Sequence, residues 1–157
     1  MIVKFEFNQD IETVYQTLIN TEFLIERALE LGNHAADAKA DSDGDQVIIN
    51  MNRTRMIKVP SILSALIKDE QTAISEEVWS RVGENYVCKS KADIDGAPLE
   101  VVGTVTLSPN GAGCLYEAEV DVKAKVMIGR GSLKKYASKT ISKELELECE
   151  FTARHLV

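Results

Sequence analysis

Two stretches in the C-terminal half of the chain constrain the fold most. In residues 99–107, Leu99, Val101, Gly103, Val105 and Leu107 alternate with Glu100, Thr104 and Thr106. In residues 113–126, Cys114, Tyr116, Ala118, Val120, Val122, Ala124 and Val126 alternate with Glu117, Glu119, Asp121, Lys123 and Lys125. Successive side chains on a strand point to opposite faces, so each stretch reads as a strand with one dry and one wet face. A slip of one residue would bury about four or five charges, which sets the register firmly. The intervening Pro109-Asn110-Gly111-Ala112 is turn chemistry, and it makes the two strands an antiparallel pair.

The same period of two runs back to about His34. Strands fit residues 46–59, 71–81 and 85–94, with turns at Asp41-Ser42-Asp43-Gly44-Asp45, Val82-Gly83-Glu84 and Asp95-Gly96-Ala97-Pro98. Short turns between successive strands imply an antiparallel meander. Pro60 stops the first of these strands, and residues 61–67 read as a short helical or looped cap behind it. Upstream, Val3, Phe5 and Phe7 alternate with Lys4 and Glu6 in an opening strand. Asp10 can cap a helix carrying the pairs Val14/Leu18 and Ile11/Tyr15. Thr21 can cap a second helix with Phe23, Leu24, Ala28 and Leu31 on its inner stripe, ended by Gly32.

From residue 128 or 132 to about 154 the period changes. Leu133, Ala137, Ile141 and Leu145 recur every four residues, flanked by Tyr136, Thr140, Leu147 and Phe151, which is a helical stripe. Some 24 residues at about 1.5 Å each span about 36 Å, roughly the breadth of a small domain. The dry face of the sheet needs cover, and this helix carries the only large apolar face left to supply it. The expected architecture is α+β: a curved antiparallel sheet of about six or seven strands, two short helices after the first strand, and a long C-terminal helix across the sheet. It is read as one domain over residues 1–157.

Composition narrows the function. A net charge of −7 with scattered basic residues lacks the concentrated Lys/Arg surface that nucleic-acid binding needs. Apolar residues at 45% and charged residues at 27% suit a folded domain able to bury one core. Cys88, Cys114 and Cys149 have no CxxC spacing and suit reduced thiols. The alternating opening strand lacks a signal-peptide core, and no apolar run reaches the ~18 residues of a membrane helix, so stable membrane insertion is not expected and the cytoplasm is.

The order of elements resembles the START-like superfamily, also called the helix-grip, Bet v 1-like or SRPBCC fold. More narrowly, it is similar to a bacterial family within it, domain of unknown function 2505. The resemblance is carried by the opening strand with Asp10 to Leu18, by Val59-Pro60-Ser61, by Glu77-Val78-Trp79, and by Gly96-Ala97-Pro98 leading into the strand to Leu107. It continues through Pro109-Asn110-Gly111-Ala112-Gly113 and through Gly129-Arg130-Gly131 before a helix ending Glu150-Phe151-Thr152-Ala153. These stretches span nearly the whole chain. The resemblance implies a lipid, sterol, polyketide or other hydrophobic compound held between helix and sheet, and no assigned activity comes with the narrow family. Met127-Ile128 departs from it, standing where the family often has a proline.

No enzyme signature stands beside the resemblance. Asp41-Ser42-Asp43-Gly44-Asp45 lacks the glycine and glutamate spacing of a calcium loop, and Gly129-Arg130-Gly131 lacks the spacing of a phosphate loop. His34 and His155 are too isolated for a metal site. Cys149 and His155, six apart on one helix, point about 120° away from each other. Glu76 and Glu77 face opposite sides of a strand. No catalytic residue, cofactor or metal is assigned.

Arg53 and Arg55 are the ambiguous pair. In register they share a face with Val47, Ile49, Met51 and Ile57, where a cation needs a partner or a ligand anion. A β-bulge near Asn52 or an outward edge would instead put them in water. The small residues Ser90, Ala92, Gly103, Ala118 and Ala124 lie among larger ones on the presumed inner face, leaving room either for close helix packing or for a guest. The candidate ligand-facing set is Met51, Arg53, Arg55, Trp79, Tyr86, Val101, Gly103, Tyr116, Ala118, Tyr136, Ala137 and Ile141. The expected partner is a hydrophobic small molecule, lipid-like, aromatic or polyketide-like. A polyketide cyclase-like enzyme and an interaction domain forming a homodimer without a working cavity are the alternatives.

Overall fold

The computed structural model describes residues 1–157. Its sheet contains β1 (Ile2–Phe7), β2 (Ala35–Asp43), β3 (Gln46–Met56), β4 (Glu70–Val82), β5 (Asn85–Asp95), β6 (Leu99–Asn110) and β7 (Gly113–Ala124). Helices α1 (Ile11–Leu18) and α2 (Thr21–Glu30) follow β1, and α3 (Arg130–His155) ends the chain. All strand pairs are antiparallel, in the order β1-β7-β6-β5-β4-β3-β2. The meander from β2 to β7 is local, whereas β1 crosses to pair with β7, as in Val3 opposite Ala118. At 26 residues α3 is about 39 Å long.

The alternation of β6 and β7 has the expected register: Val105 lies opposite Ala118 and Leu107 opposite Tyr116. Leu107, Ala118 and Cys114 are fully buried. A larger core cluster joins Val3 and Phe7 of β1 to Val14, Tyr15 and Leu18 of α1, Phe23 and Leu24 of α2, and Cys149 of α3. A smaller cluster at the other end joins Leu63 and Ile67 to Leu99, Val122, Leu133 and Ala137. The C-terminal helix therefore closes both ends of the dry face.

Local details refine the expectations. Asn20, not Thr21, caps α2, its side chain accepting from the Phe23 amide at 3.2 Å, and Thr21 is the first helical residue. Asp10 has the extended backbone of a cap but no capping hydrogen bond to the backbone; the Thr13 hydroxyl donates to its carboxylate instead. Within the expected turn at residues 41–45, the two central residues are Gly44 and Asp45, with Asp43 paired to Gln46. Residues 61–63 form a single 3₁₀ turn, as a short cap behind Pro60 requires. β3 ends at Met56, short of Pro60.

The larger correction concerns Arg53 and Arg55. No bulge interrupts β3 at Asn52: Met51, Asn52 and Arg53 pair in unbroken register with Ser75, Ile74 and Ala73. Both arginines therefore stay on the inner face with Ile49 and Met51. They remain there because the helix opposite supplies carboxylates, a source of compensation that the strand's own sequence does not reveal.

Candidate functional site

Between the sheet and α3 lies a cavity of about 230 Å³. Its wall draws on both core clusters: Phe7, Leu18, Leu24, Ile49 and Trp79 from one, and Ile67, Leu99 and Ala137 from the other. Of the candidate set, Met51, Arg53, Arg55, Trp79, Val101, Gly103, Tyr116, Ala118, Tyr136, Ala137 and Ile141 all line it. Tyr86 does not. Its ring stacks on Tyr15 at 3.7 Å and its hydroxyl donates to Glu12, so α1 covers it. Ser90, Ala92, Gly103 and Ala118 contribute the small side chains of the wall, whereas Ala124 packs in the smaller core cluster.

The α3 face toward the cavity has two rows. Leu133, Ala137, Ile141 and Leu145 form the apolar row expected from the sequence, and buried Cys149 continues it. Beside it, Tyr136, Thr140, Glu144, Glu148 and Thr152 recur at the same four-residue interval, so they share a face one position away. All five of this second row line the cavity.

Glu148 is the hub of the polar wall. One of its oxygens accepts from Arg53 Nη1 at 2.6 Å, and the other lies 3.4 Å from Arg27 Nη2. Arg27 Nη1 also donates to Thr152 Oγ1 at 3.1 Å, and the Thr152 hydroxyl donates to the Glu148 carbonyl at 2.7 Å. Arg55 makes an ion pair with Glu144, one turn earlier on α3. Three layers are thereby tied together: α2 through Arg27, the sheet through Arg53 and Arg55, and α3 through its two glutamates. Though deep in the fold, the Arg53 and Glu148 side chains keep 31% and 14% of their surface exposed, which fits groups that border a space.

Glu77 is the unpaired member. It sits on β4 facing inward, accepts from the Trp79 indole Nε1 at 3.1 Å, and has no basic nitrogen within 4.0 Å. Burial pushes its carboxyl above the ordinary value, and the Trp79 hydrogen bond and the nearby Arg27 charge offset this only in part. Burial would raise Glu148 too, but Arg27 and Arg53 outweigh it and hold that carboxyl below the usual range. Two carboxyls in one wall are thus driven in opposite directions by their partners.

Other groups are quieter. Burial raises the Tyr116 hydroxyl well above its ordinary value, keeping it protonated. The thiols of Cys114 and Cys149 are pushed up to about 11 and about 12 by burial, and Cys88 rises further. Thiols held protonated are poor nucleophiles and poor metal ligands.

Sequence reasoning did not find Arg27, Glu144 or Glu148. A glutamate at the margin of an amphipathic helix ordinarily faces water, and Arg27 falls in the last turn of α2, where a cation suits the helix dipole. The signal present was the four-residue recurrence of Glu144, Glu148 and Thr152 beside the apolar row.

A curved antiparallel sheet closed by a C-terminal helix, with two short helices after the first strand, defines a START-like, helix-grip domain. Solved structures share this fold. The protein TTHA0849 from Thermus thermophilus superposes with a TM-score of 0.69 at 16% identity, over 98% of this chain and 94% of that one. Human STARD10 superposes with a TM-score of 0.58 at 13% identity, over 99% of this chain and 66% of that one. Residues 3–156 match the family described as "Protein of unknown function (DUF2505)", and the chain belongs to that family. Among curated proteins, the uncharacterized protein Rv0481c of Mycobacterium tuberculosis is 25% identical over 113 residues. That match takes in 70% of this chain and 65% of the relative's length, so the relative extends beyond the shared region.

Proposed function

We propose that this domain binds a compact hydrophobic molecule between the sheet and α3, with its polar end turned toward the Arg27, Arg53, Arg55, Glu77 and Glu148 wall. The observation that carries this reading is a mostly apolar cavity of about 230 Å³ with an arginine–glutamate cluster at its side. Membership of the START-like fold agrees with it. Small-molecule pockets commonly measure about 300–1,000 Å³. A space somewhat below that range favours one ring system or one short chain over a two-chain lipid. Burying a few hundred Å² of such a ligand at about 25 cal/mol per Å² supplies several kcal/mol before the costs of ordering.

Polar groups that are unspent inside the protein would orient the ligand. None of the side-chain hydrogen bonds involves Gln71, Tyr116 or Tyr136, all of which line the cavity. A polar group that borders an apolar cavity without a protein hydrogen bond is free to pair with a ligand that supplies the partner.

The test is native mass spectrometry of protein purified from its own host, followed by solvent extraction and identification of what is released. A retained organic molecule is expected. Ala92→Phe, which adds bulk to the wall, should abolish retention with little loss of melting temperature. An empty wild-type protein, or equal retention by the filled variant, would overturn the reading.

A cyclase-like enzyme is a second reading, favoured by one observation: Glu77 faces the cavity with no cation paired to it. A carboxyl raised above its ordinary value by burial is suited to general acid–base work. If the bound compound is recovered chemically unchanged by wild type and Glu77→Gln alike, the domain is a carrier and this second reading fails.

A further inference from the structure

The chain is acidic overall, yet its charge is unevenly spread. Residues 56–68 and 122–139 contain eight of the 18 Lys and Arg, two in the first segment and six in the second, and none of the 25 Asp and Glu. The fold brings these segments together. Leu63 and Ile67 pack with Leu133 and Ala137, and Leu66 lies against Gly129, where a Cβ would come within 3.0 Å of its side chain. Both segments sit at one pole of the molecule, over the smaller core cluster.

That pole also carries three of the most exposed large apolar side chains. Met127 is 90% exposed, Ile128 89% and Ile62 80%. They protrude from two adjoining loops and form neither a groove nor a strand edge. Around them, Lys125 pairs with Asp93 and Lys134 approaches Asp121. Lys58, Lys68, Arg130, Lys135 and Lys139 are exposed and have no carboxylate within 4.0 Å. Burying isolated apolar tips ringed by free cations against another protein would desolvate those charges. An anionic lipid surface accepts both: the tips enter the headgroup layer while the cations stay at the phosphates.

We propose that this pole docks reversibly on an anionic lipid bilayer, Ile62, Met127 and Ile128 entering the interface and Lys58, Lys68, Arg130, Lys135 and Lys139 meeting the lipid headgroups. The docked pole is also one end of the cavity. Ile67, Tyr136 and Ala137 belong both to the packing beneath the pole and to the cavity wall, so docking sets that end against the membrane. The docking stands apart from cavity occupancy and is tested without a ligand.

Co-sedimentation of the full chain with phosphatidylcholine vesicles, and with vesicles of phosphatidylcholine and phosphatidylglycerol in equal parts, provides the test. Binding is expected to the mixed vesicles alone and to weaken as salt rises. Met127→Asp with Ile128→Asp should lower partitioning about tenfold or more, and Lys68→Ala or Lys135→Ala about fivefold each. Lys39→Ala, on the exposed edge strand β2, removes the same charge elsewhere and should change nothing. Overlapping thermal melts establish that the variants are folded. Wild type remaining in the supernatant with both vesicles would overturn the proposal. Equal losses from Lys39→Ala and Lys135→Ala would also overturn it, assigning the effect to net charge.

Discussion

Glu148 accepts from arginines on two different layers, and that arrangement has a measurable cost of removal. Glu148→Gln keeps the shape but leaves Arg27 and Arg53 without their directly paired carboxylate, so it should lower unfolding stability by about 3 kcal/mol, read from urea titration. A loss under about 1 kcal/mol would mean that water in the cavity already solvates both cations. Its carboxyl is held below the ordinary value in the fold. The stabilisation is therefore fully present above the ordinary carboxylate pKa and is lost as pH falls through the folded-state value. Glu77 has the opposite sign. Its folded-state value is raised, so its contribution is fully present below the ordinary carboxylate pKa and is lost as pH rises. Glu77→Gln should melt higher than wild type at neutral pH, and the gain should vanish in acid, below about pH 4. An equal gain at both pH values would show that Glu77 does not titrate differently in the folded chain.

At the level of the element, the strands and the terminal helix were legible because their patterns repeat. The inward positions of β7 agree on one face, and the apolar residues of α3 recur at one interval, so an error at any single position is outvoted. The polar wall was not legible for the converse reason. Arg27, Arg53, Glu77 and Glu148 come from α2, β3, β4 and α3, and no local pattern records that their side chains converge. Arg53 illustrates this well: its strand pattern placed it inward, while the cost of an unpaired buried cation argued for a bulge. The carboxylate that removes that cost lies 95 residues away in sequence. The junction of β1 with β7 offers a test at this scale. A Cβ added at Gly113 would stand 2.0 Å from the Phe7 carbonyl oxygen, a clash with backbone that no side-chain rotation relieves. Gly113→Ala should cost about 3 kcal/mol or more and should loosen β1 first, seen as faster amide exchange at Val3 and Phe5 than in wild type. Unchanged exchange there would show that the two strands part without cost.

For the whole molecule, the sheet is an open arc whose two edges, β1 and β2, never meet, and the terminal helix does the closing that a barrel would achieve by strand pairing. Stability should therefore depend on α3 as on no other single element. A chain ending at Gly129 should show no cooperative melt and should bind a hydrophobic dye, whereas a chain lacking only the fully exposed Val157 should melt as wild type does. A cooperative melt for the first truncation would mean that the sheet holds its own dry face without the helix. Pairings such as Val3 with Ala118 span most of the chain, so folding belongs with the slower, non-local topologies, in the range of about milliseconds to seconds. The counterions of Arg53 and Arg55 reside in α3, which follows every strand of the sheet in chain order. A nascent chain thus emerges with its oily concave surface and its inward cations both uncovered until α3 has followed the sheet out of the ribosome. In the cell, the partner this domain depends on first is its own α3, and any pause in synthesis before that helix would leave a sticky, half-built shell in the care of chaperones.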